Sequence, residues 1–214
     1  MRPLLKYCGN HSLSDLQATL ESNADFIGVV FAESKRQVTA DQVVEWLKEV
    51  ELSPQQQLVG LFVNPSVTEI DDVLQRVPLQ VIQCHGNESK ELVSSIKQTF
   101  GLPVWKVIHH HKGGLEQMKS FHGVCDGFVV DSKVKGQWGG TGETFDWSSV
   151  PPYLEEGKRQ GVPVFIAGGI NPNNVTKLLS FHPTGIDISS GIERDGQKDK
   201  AEISRLEERL KNNE

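Results

Sequence analysis

The sequence predicts an α/β chain folded as a (β/α)8 TIM barrel, one domain spanning residues 1–214, and three observations carry that expectation. Eight short runs rich in β-branched and aromatic residues alternate with eight amphipathic stretches, the pattern of parallel strands joined by crossover helices. The last two runs end in glycine- and serine-rich turns, Gly168-Gly169 and Ser189-Ser190-Gly191, of the kind that lets backbone N–H groups approach an anion. The residues after the first run, CGNHS, match neither GxGxxG nor GxxxxGK[ST]. An open doubly wound sheet, the competing architecture, would carry its phosphate fingerprint there.

The strand candidates are LLKYC (4–8), DFIGVVFA (25–32), QLVGLFV (57–63), LQVIQCH (79–85), PVWKVI (103–108), GFVVDS (127–132), VPVFIAG (162–168) and GIDISS (185–190). The first helix candidate, SLSDLQATLES (12–22), starts at a Ser12 cap and places Leu13, Leu16 and Leu20 on one face. TADQVVEWLKEV (39–50) repeats the pattern with Val43, Val44, Leu47 and Val50. Segments 66–77, 89–100, 114–124, 146–160, 171–181 and 198–210 complete the set, and Ser66 with Glu69 spells a capping box. Between the sixth strand and its helix lies GQWGGTGE (136–143), a long Gly-rich loop that reads as a lid over the barrel mouth.

Composition narrows the function class. With 37% hydrophobic and 23% charged residues, the chain is an ordinary soluble one. A net charge of −6 argues against nucleic acid as a general partner. The three cysteines form no CxxC pair and no even framework, which points to free thiols in a reducing compartment. MRPLLKYCGN holds no apolar run long enough for a signal peptide, and no stretch approaches the ~18 apolar residues of a membrane span. The expected location is cytoplasmic.

In such a barrel the chemistry sits at the C-terminal strand ends. Cys8 ends the first strand, on the same face as Lys6; beside cations, its thiol is expected to have a depressed pKa and to accept a proton. Alone, a free cysteine is more often a small buried hydrophobe. Asp131 follows the apolar run FVV, where a desolvated carboxylic acid suits general-acid work as well as a cap or an ion pair. Arg36 reads as a surface charge or as a fork for a carboxylate or phosphate. Gln83 and His85 share a face that Cys84 does not, and Asp187 ends the eighth strand. The run HHH at 109–111 reads as a strand-end loop, because adjacent side chains diverge and no second cluster is placed to complete a metal site. Lys106 keeps open a Schiff-base enzyme.

Taken together, these segments resemble the phosphoribosylanthranilate isomerase family over essentially the whole chain and in motif order. KYCG (6–9), DFIGVVFAESKRQVT (25–39), QVIQCHG (80–86), FVVDSK with GGTGETFDW, IAGGINPNNV and GIDISSGIE carry the likeness. Lys35 stands where that family usually has Pro, Cys84 where it has Leu, and Tyr7 where it has a smaller apolar residue. The resemblance implies an Amadori rearrangement of N-(5-phosphoribosyl)anthranilate in tryptophan biosynthesis, run by one acid and one base without cofactor or metal. It casts Asp131 as acid, Cys8 as base, and Gly168, Gly169, Ser190 and Gly191 as the phosphate cradle. It sets Arg36 toward the anthranilate carboxylate and Asp187 near the amine. Gln83, His85 and the lid Gly139, Gly140, Thr141 and Gly142 would hold and cover the substrate. The partner is a phosphorylated small molecule, with the protein a monomer or homodimer. The rival readings are a lyase built on Lys106 and a non-catalytic phosphate-ligand binding protein.

Overall fold

The computed structural model describes residues 2–132 and 145–211. Strands β1 (Leu4–Tyr7), β2 (Phe26–Val30), β3 (Gln57–Phe62), β4 (Val81–Cys84), β5 (Val104–His109), β6 (Gly127–Asp131), β7 (Val164–Ile166) and β8 (Gly185–Ile188) run parallel and close into a barrel in sequence order. Closure comes from β1 against β8, in a register that sets Lys6 opposite Asp187. The β5–β6 register sets His109 opposite Asp131.

Each strand is followed by a helix: α1 (Leu13–Leu20), α2 (Ala40–Leu47), α3 (Val67–Leu74), α4 (Lys90–Phe100), α5 (Gly114–Ser120), α6 (Val150–Gln160), α7 (Val175–Leu179) and α8 (Lys200–Lys211). Their starts follow local chemistry. Ser66 and Glu69 form the expected reciprocal capping box, and Thr39 with Gln42 forms another. Ser12 caps α1 from one side only: it accepts from the Asp15 amide, while the Asp15 carboxylate accepts from His11 and Lys198. None of the described helices is long and apolar enough to cross a membrane.

The pleat sorts side chains into two cores. Alternate strand residues, among them Val59, Val81, Val107 and Val129, fill the barrel with Trp105 and Phe165. Phe26 packs edge-on to Trp105 at 4.7 Å, and Trp105 stacks on Phe165 at 4.6 Å. Such pairs contribute about 0.5–1.5 kcal/mol each beyond their buried area, and they plug the barrel interior. The remaining strand residues face the helices, and Cys84 and Tyr7 belong to that outer core, as alternation predicts. Tyr7 reaches Glu207 on α8 through its hydroxyl, at 3.3 Å.

Past β8, Ser190–Ile192 forms a 3-10 turn, and β9 (Glu193–Arg194) pairs with β10 (Gln197–Lys198) in a small hairpin. Asp195 and Gly196, with φ of 54° and 82°, make its two-residue turn. This hairpin returns the chain to the barrel mouth.

Candidate active site

A cavity of about 1470 Å³ opens at the C-terminal strand ends, and Cys8, Arg36, His85, Asp131, Asp187 and both Gly/Ser turns line it. The expected site residues therefore converge, with two qualifications. Gln83 is fully buried behind His85 and does not line the cavity. The lid residues Gly139, Gly140, Thr141 and Gly142 lie outside the described residues.

The β1–β8 side is ionic. Lys6, with no exposed surface, donates to Asp187 Oδ2 at 2.9 Å. Burial works against its ammonium, yet the Asp187 charge and the Cys8 sulfur outweigh burial and hold its pKa up. Cys8 behaves contrary to the sequence expectation. Burial is the dominant influence and pushes the thiol up, overcoming the attraction of Lys6; the expectation counted the cations and could not see the desolvation. Asp187 Oδ1 is buried and has no hydrogen-bond partner among the described residues.

Arg36 lies across Gly9, where its Cδ occupies the space a Cβ would need. It is not a loose surface charge: Nε and Nη2 clamp the two carboxylate oxygens of Glu193 at 2.9 and 2.6 Å. Glu193 also receives Lys198 Nζ at 2.7 Å, and the same ammonium reaches the Ser189 carbonyl at 3.0 Å. Burial opposes the Glu193 charge, but these two cations hold its carboxyl below the usual range. Lys198 is pulled the other way, since burial outweighs Glu193 and lowers it.

The two turns abut, as their sequence suggested. A Cβ on Gly191 would overlap the Ile170 carbonyl oxygen, so only glycine lets the turn after β8 close on the turn after β7. Gly168 takes φ 89°, and a Cβ there would sit 2.9 Å from Asp131 Oδ1. Asn174 and Asn171 donate to the Gly169 carbonyl at 2.9 and 3.2 Å, which fixes the shape of the first turn.

The β4–β6 side is an imidazole–carboxylate group. His85 Nε2 stands 3.5 Å from Asp131 Oδ2 without a hydrogen bond's alignment. Gln83 Nε2 lies 3.3 Å from His85 Nδ1, and Gln83 Oε1 has no partner among the described residues. The three histidines diverge as expected. His110 contacts the Tyr153 hydroxyl and His111 accepts from the Gly113 amide. His109, however, is a strand residue rather than a loop one. It turns inward after Trp105 and Val107, and its Nε2 donates to the His85 carbonyl at 3.0 Å. Burial, then the neighbouring His85, hold it below the ordinary imidazole range.

Lys106 does not line the cavity. Its ammonium faces outward, held by Glu88 Oε2 at 2.9 Å and the carbonyls of Gly86 and Val107 at 2.8 and 3.0 Å. Glu88 Oε1 takes the amides of Asn64 and Gly86, both at 2.8 Å, so the pair braces the loop that carries His85. A Schiff-base role at Lys106 has no access to substrate. Glu88, Glu193, Lys198 and His109 are the residues the sequence reading missed. The Asp-Gly turn at 195–196 is the local signal that would have returned Lys198 to the mouth.

A family profile described as N-(5'phosphoribosyl)anthranilate (PRA) isomerase matches residues 5–209. The N-(5'-phosphoribosyl)anthranilate isomerase of Halalkalibacterium halodurans is 55% identical over 210 residues, covering 98% of this chain and 96% of that protein. The solved isomerase of Thermotoga maritima superposes with a TM-score of 0.84 at 30% identity, covering 98% of this chain and 99% of that one. A solved phosphoribosyl anthranilate isomerase in complex with reduced 1-(o-carboxyphenylamino)-1-deoxyribulose 5-phosphate superposes at 0.81 with 29% identity, covering 98% and 99% of the two chains. By profile, identity over nearly its full length and barrel geometry, the chain belongs to the phosphoribosylanthranilate isomerase family.

Proposed function

We propose that the chain performs its family's reaction, the Amadori rearrangement of N-(5-phosphoribosyl)anthranilate to the 1-deoxyribulose 5-phosphate ketose, with Cys8 as base and Asp131 as acid. The observation that carries this reading is that β1 and β6 present Cys8 and Asp131 to one cavity, whose rim holds both Gly/Ser turns. A phosphate on the amides and hydroxyls of Gly168, Gly169, Ser190 and Gly191 would fix one end of the substrate. Asp131 then gives its proton to the furanose oxygen as the C1–O bond breaks, leaving an iminium between C1 and the anthranilate nitrogen. Cys8, as thiolate, removes the proton from C2, and the C–H pair forms the C1–C2 double bond of an enolamine. Proton return at C1 and loss of the 2-hydroxyl proton give the ketone. Two protons enter, at the ring oxygen and C1, and two leave, from C2 and the 2-hydroxyl, so no redox partner is needed.

The rest of the site fits this pose. Glu193 takes Nε and Nη2 of Arg36, which leaves Nη1 for the anthranilate carboxylate. The buried Asp187 Oδ1, without a hydrogen-bond partner among the described residues, suits the substrate amine. Lys6 beside Cys8 stabilises the thiolate against the desolvation that disfavours it. Three buried free cysteines suit a reducing cytoplasm, and the working unit is a monomer or homodimer.

The test is turnover of freshly made phosphoribosylanthranilate, followed by loss of its fluorescence, in Cys8→Ala and Asp131→Asn variants shown to be folded. Both should lose orders of magnitude in kcat; a folded variant with near-normal kcat removes that residue from its assigned role.

A further inference from the structure

His85, His109 and Asp131 come from three successive strands and each turns one ligand-competent atom into the same space; these atoms all lie within 4.8 Å of one another. The 3.5 Å between His85 Nε2 and Asp131 Oδ2 is close to the edge of a tetrahedron whose corners lie ~2.0–2.1 Å from a zinc ion, an edge of about 3.4 Å. His85 Nε2 is buried, faces Asp131 Oδ2 at 3.5 Å off hydrogen-bond alignment, and has no hydrogen-bond partner among the described residues. Its other nitrogen has a support in place. Turning the Gln83 amide over puts Oε1 on an Nδ1–H of His85, satisfies that orphaned oxygen, and leaves the Nε2 lone pair facing Asp131. Metal-bound imidazoles characteristically donate their other N–H to a carbonyl, and His109 has the His85 carbonyl at 3.0 Å.

We propose that His85, His109 and Asp131 form a binding site for a divalent transition metal of zinc type, with three protein ligands and a fourth position open to the cavity. Two imidazoles and a carboxylate are a zinc donor set, and they do not suit magnesium or calcium, which want oxygen. The metal has no step in the isomerisation. It occupies the carboxylate assigned as general acid, so it acts as an inhibitor that competes with substrate for the mouth. That consequence, unlike the site itself, rests on the role proposed for Asp131.

The experiment is calorimetric titration of the whole chain with zinc chloride, without chelator and with a phosphine reductant, on wild type, His109→Gln and Cys8→Ser. Wild type should bind one Zn2+ per chain; His109→Gln should weaken binding tenfold or more, and Cys8→Ser should leave it unchanged. Turnover assays with added zinc follow. Wild type should be inhibited and restored by EDTA, while His109→Gln keeps its basal rate and resists zinc by tenfold or more. The site is refuted if wild type binds no zinc below about 100 μM, or if binding survives His109→Gln and is lost in Cys8→Ser. Binding that needs His109 but leaves turnover untouched would uphold the site and refute Asp131 as the acid.

Discussion

Replacing Lys6 by Met keeps the unbranched stem of the side chain, one atom shorter, and removes one charge from the floor of the mouth. Two consequences follow from the geometry. The Lys6–Asp187 pair spans 2.9 Å with neither partner appreciably exposed, so at an effective dielectric of ~20 the gross attraction is about 6 kcal/mol. Desolvation offsets part of this, and leaving the Asp187 carboxylate buried without its cation costs about 3–5 kcal/mol of folding stability. The second consequence is catalytic. Lys6 is the main attraction opposing the burial that raises the Cys8 thiol, so its removal raises that pKa further and lowers the thiolate fraction at any working pH. Each unit is about tenfold in rate below the pKa. The assay is kcat against pH, with urea unfolding in parallel. The rate of the wild type should climb with pH as the thiol ionises, and that climb should move to higher pH in Lys6→Met. Superposable profiles with equal kcat would refute the idea that Lys6 tunes the base. A Lys6→Met/Asp187→Leu double variant separates the two effects: it should recover most of the lost stability and none of the activity.

Three further outcomes are expected. Gly191→Ala forces apart two turns whose backbones leave no room for a Cβ, so KM for substrate and the inhibition constant for inorganic phosphate should both rise about tenfold or more; unchanged constants would remove these turns from phosphate binding. Glu88→Gln leaves the Lys106 ammonium buried without a counter-charge and should cost about 3–5 kcal/mol in urea unfolding. Burial disfavours the Glu88 charge, but Lys106 and three hydrogen bonds overcome it and hold its pKa below 4.5. Its contribution is therefore present above that value and fades as pH falls through the folded pKa, so the acid limb of the stability curve should flatten in the variant. Ser66→Ala removes one half of the capping box on α3 and should lose ~1 kcal/mol with kcat and KM unchanged.

The barrel was legible because its eight strands are short apolar runs and the starts of α1 to α4 carry their own side-chain caps, Ser12, Thr39, Ser66 and Ser89. Period-two alternation correctly sent Cys84 and Tyr7 outward and Gln83 and His85 inward. The same rule, carried two residues past Val107, would have sent His109 inward; reading HHH as a loop stopped the count too early. What stayed hidden depends on distance along the chain. Arg36 meets Glu193 157 residues later, and nothing near either residue announces it. Lys106 looked like a nucleophile because a strand lysine is conspicuous, but its direction depends on which face it occupies, and Glu88 waits on that face. The sign of the Cys8 shift was out of reach for a related reason. Neighbouring charges can be guessed from a sequence, whereas the depth of burial that outweighs them belongs to the closed barrel.

The two sides of the mouth are built from different materials, and the proposed division of labour follows from that. Around Cys8 the fold gathers Lys6, Arg36 and Lys198 against Asp187 and Glu193, every link a charge-assisted contact of 2.6–2.9 Å. A network so tightly paired holds its geometry while one proton comes and goes from the thiol, because the cations that receive the new negative charge are already in place. Around Asp131 the neighbours are imidazoles and an amide, groups that can switch tautomer or orientation, and two of their buried atoms have no hydrogen-bond partner among the described residues. Nitrogen donors beside a carboxylate are also what a divalent ion of zinc type seeks. The proposed zinc site and the proposed acid role thus come from one arrangement. His109 is the residue at which they part, since it completes the donor set and, in the proposed reaction, makes no contact with the substrate.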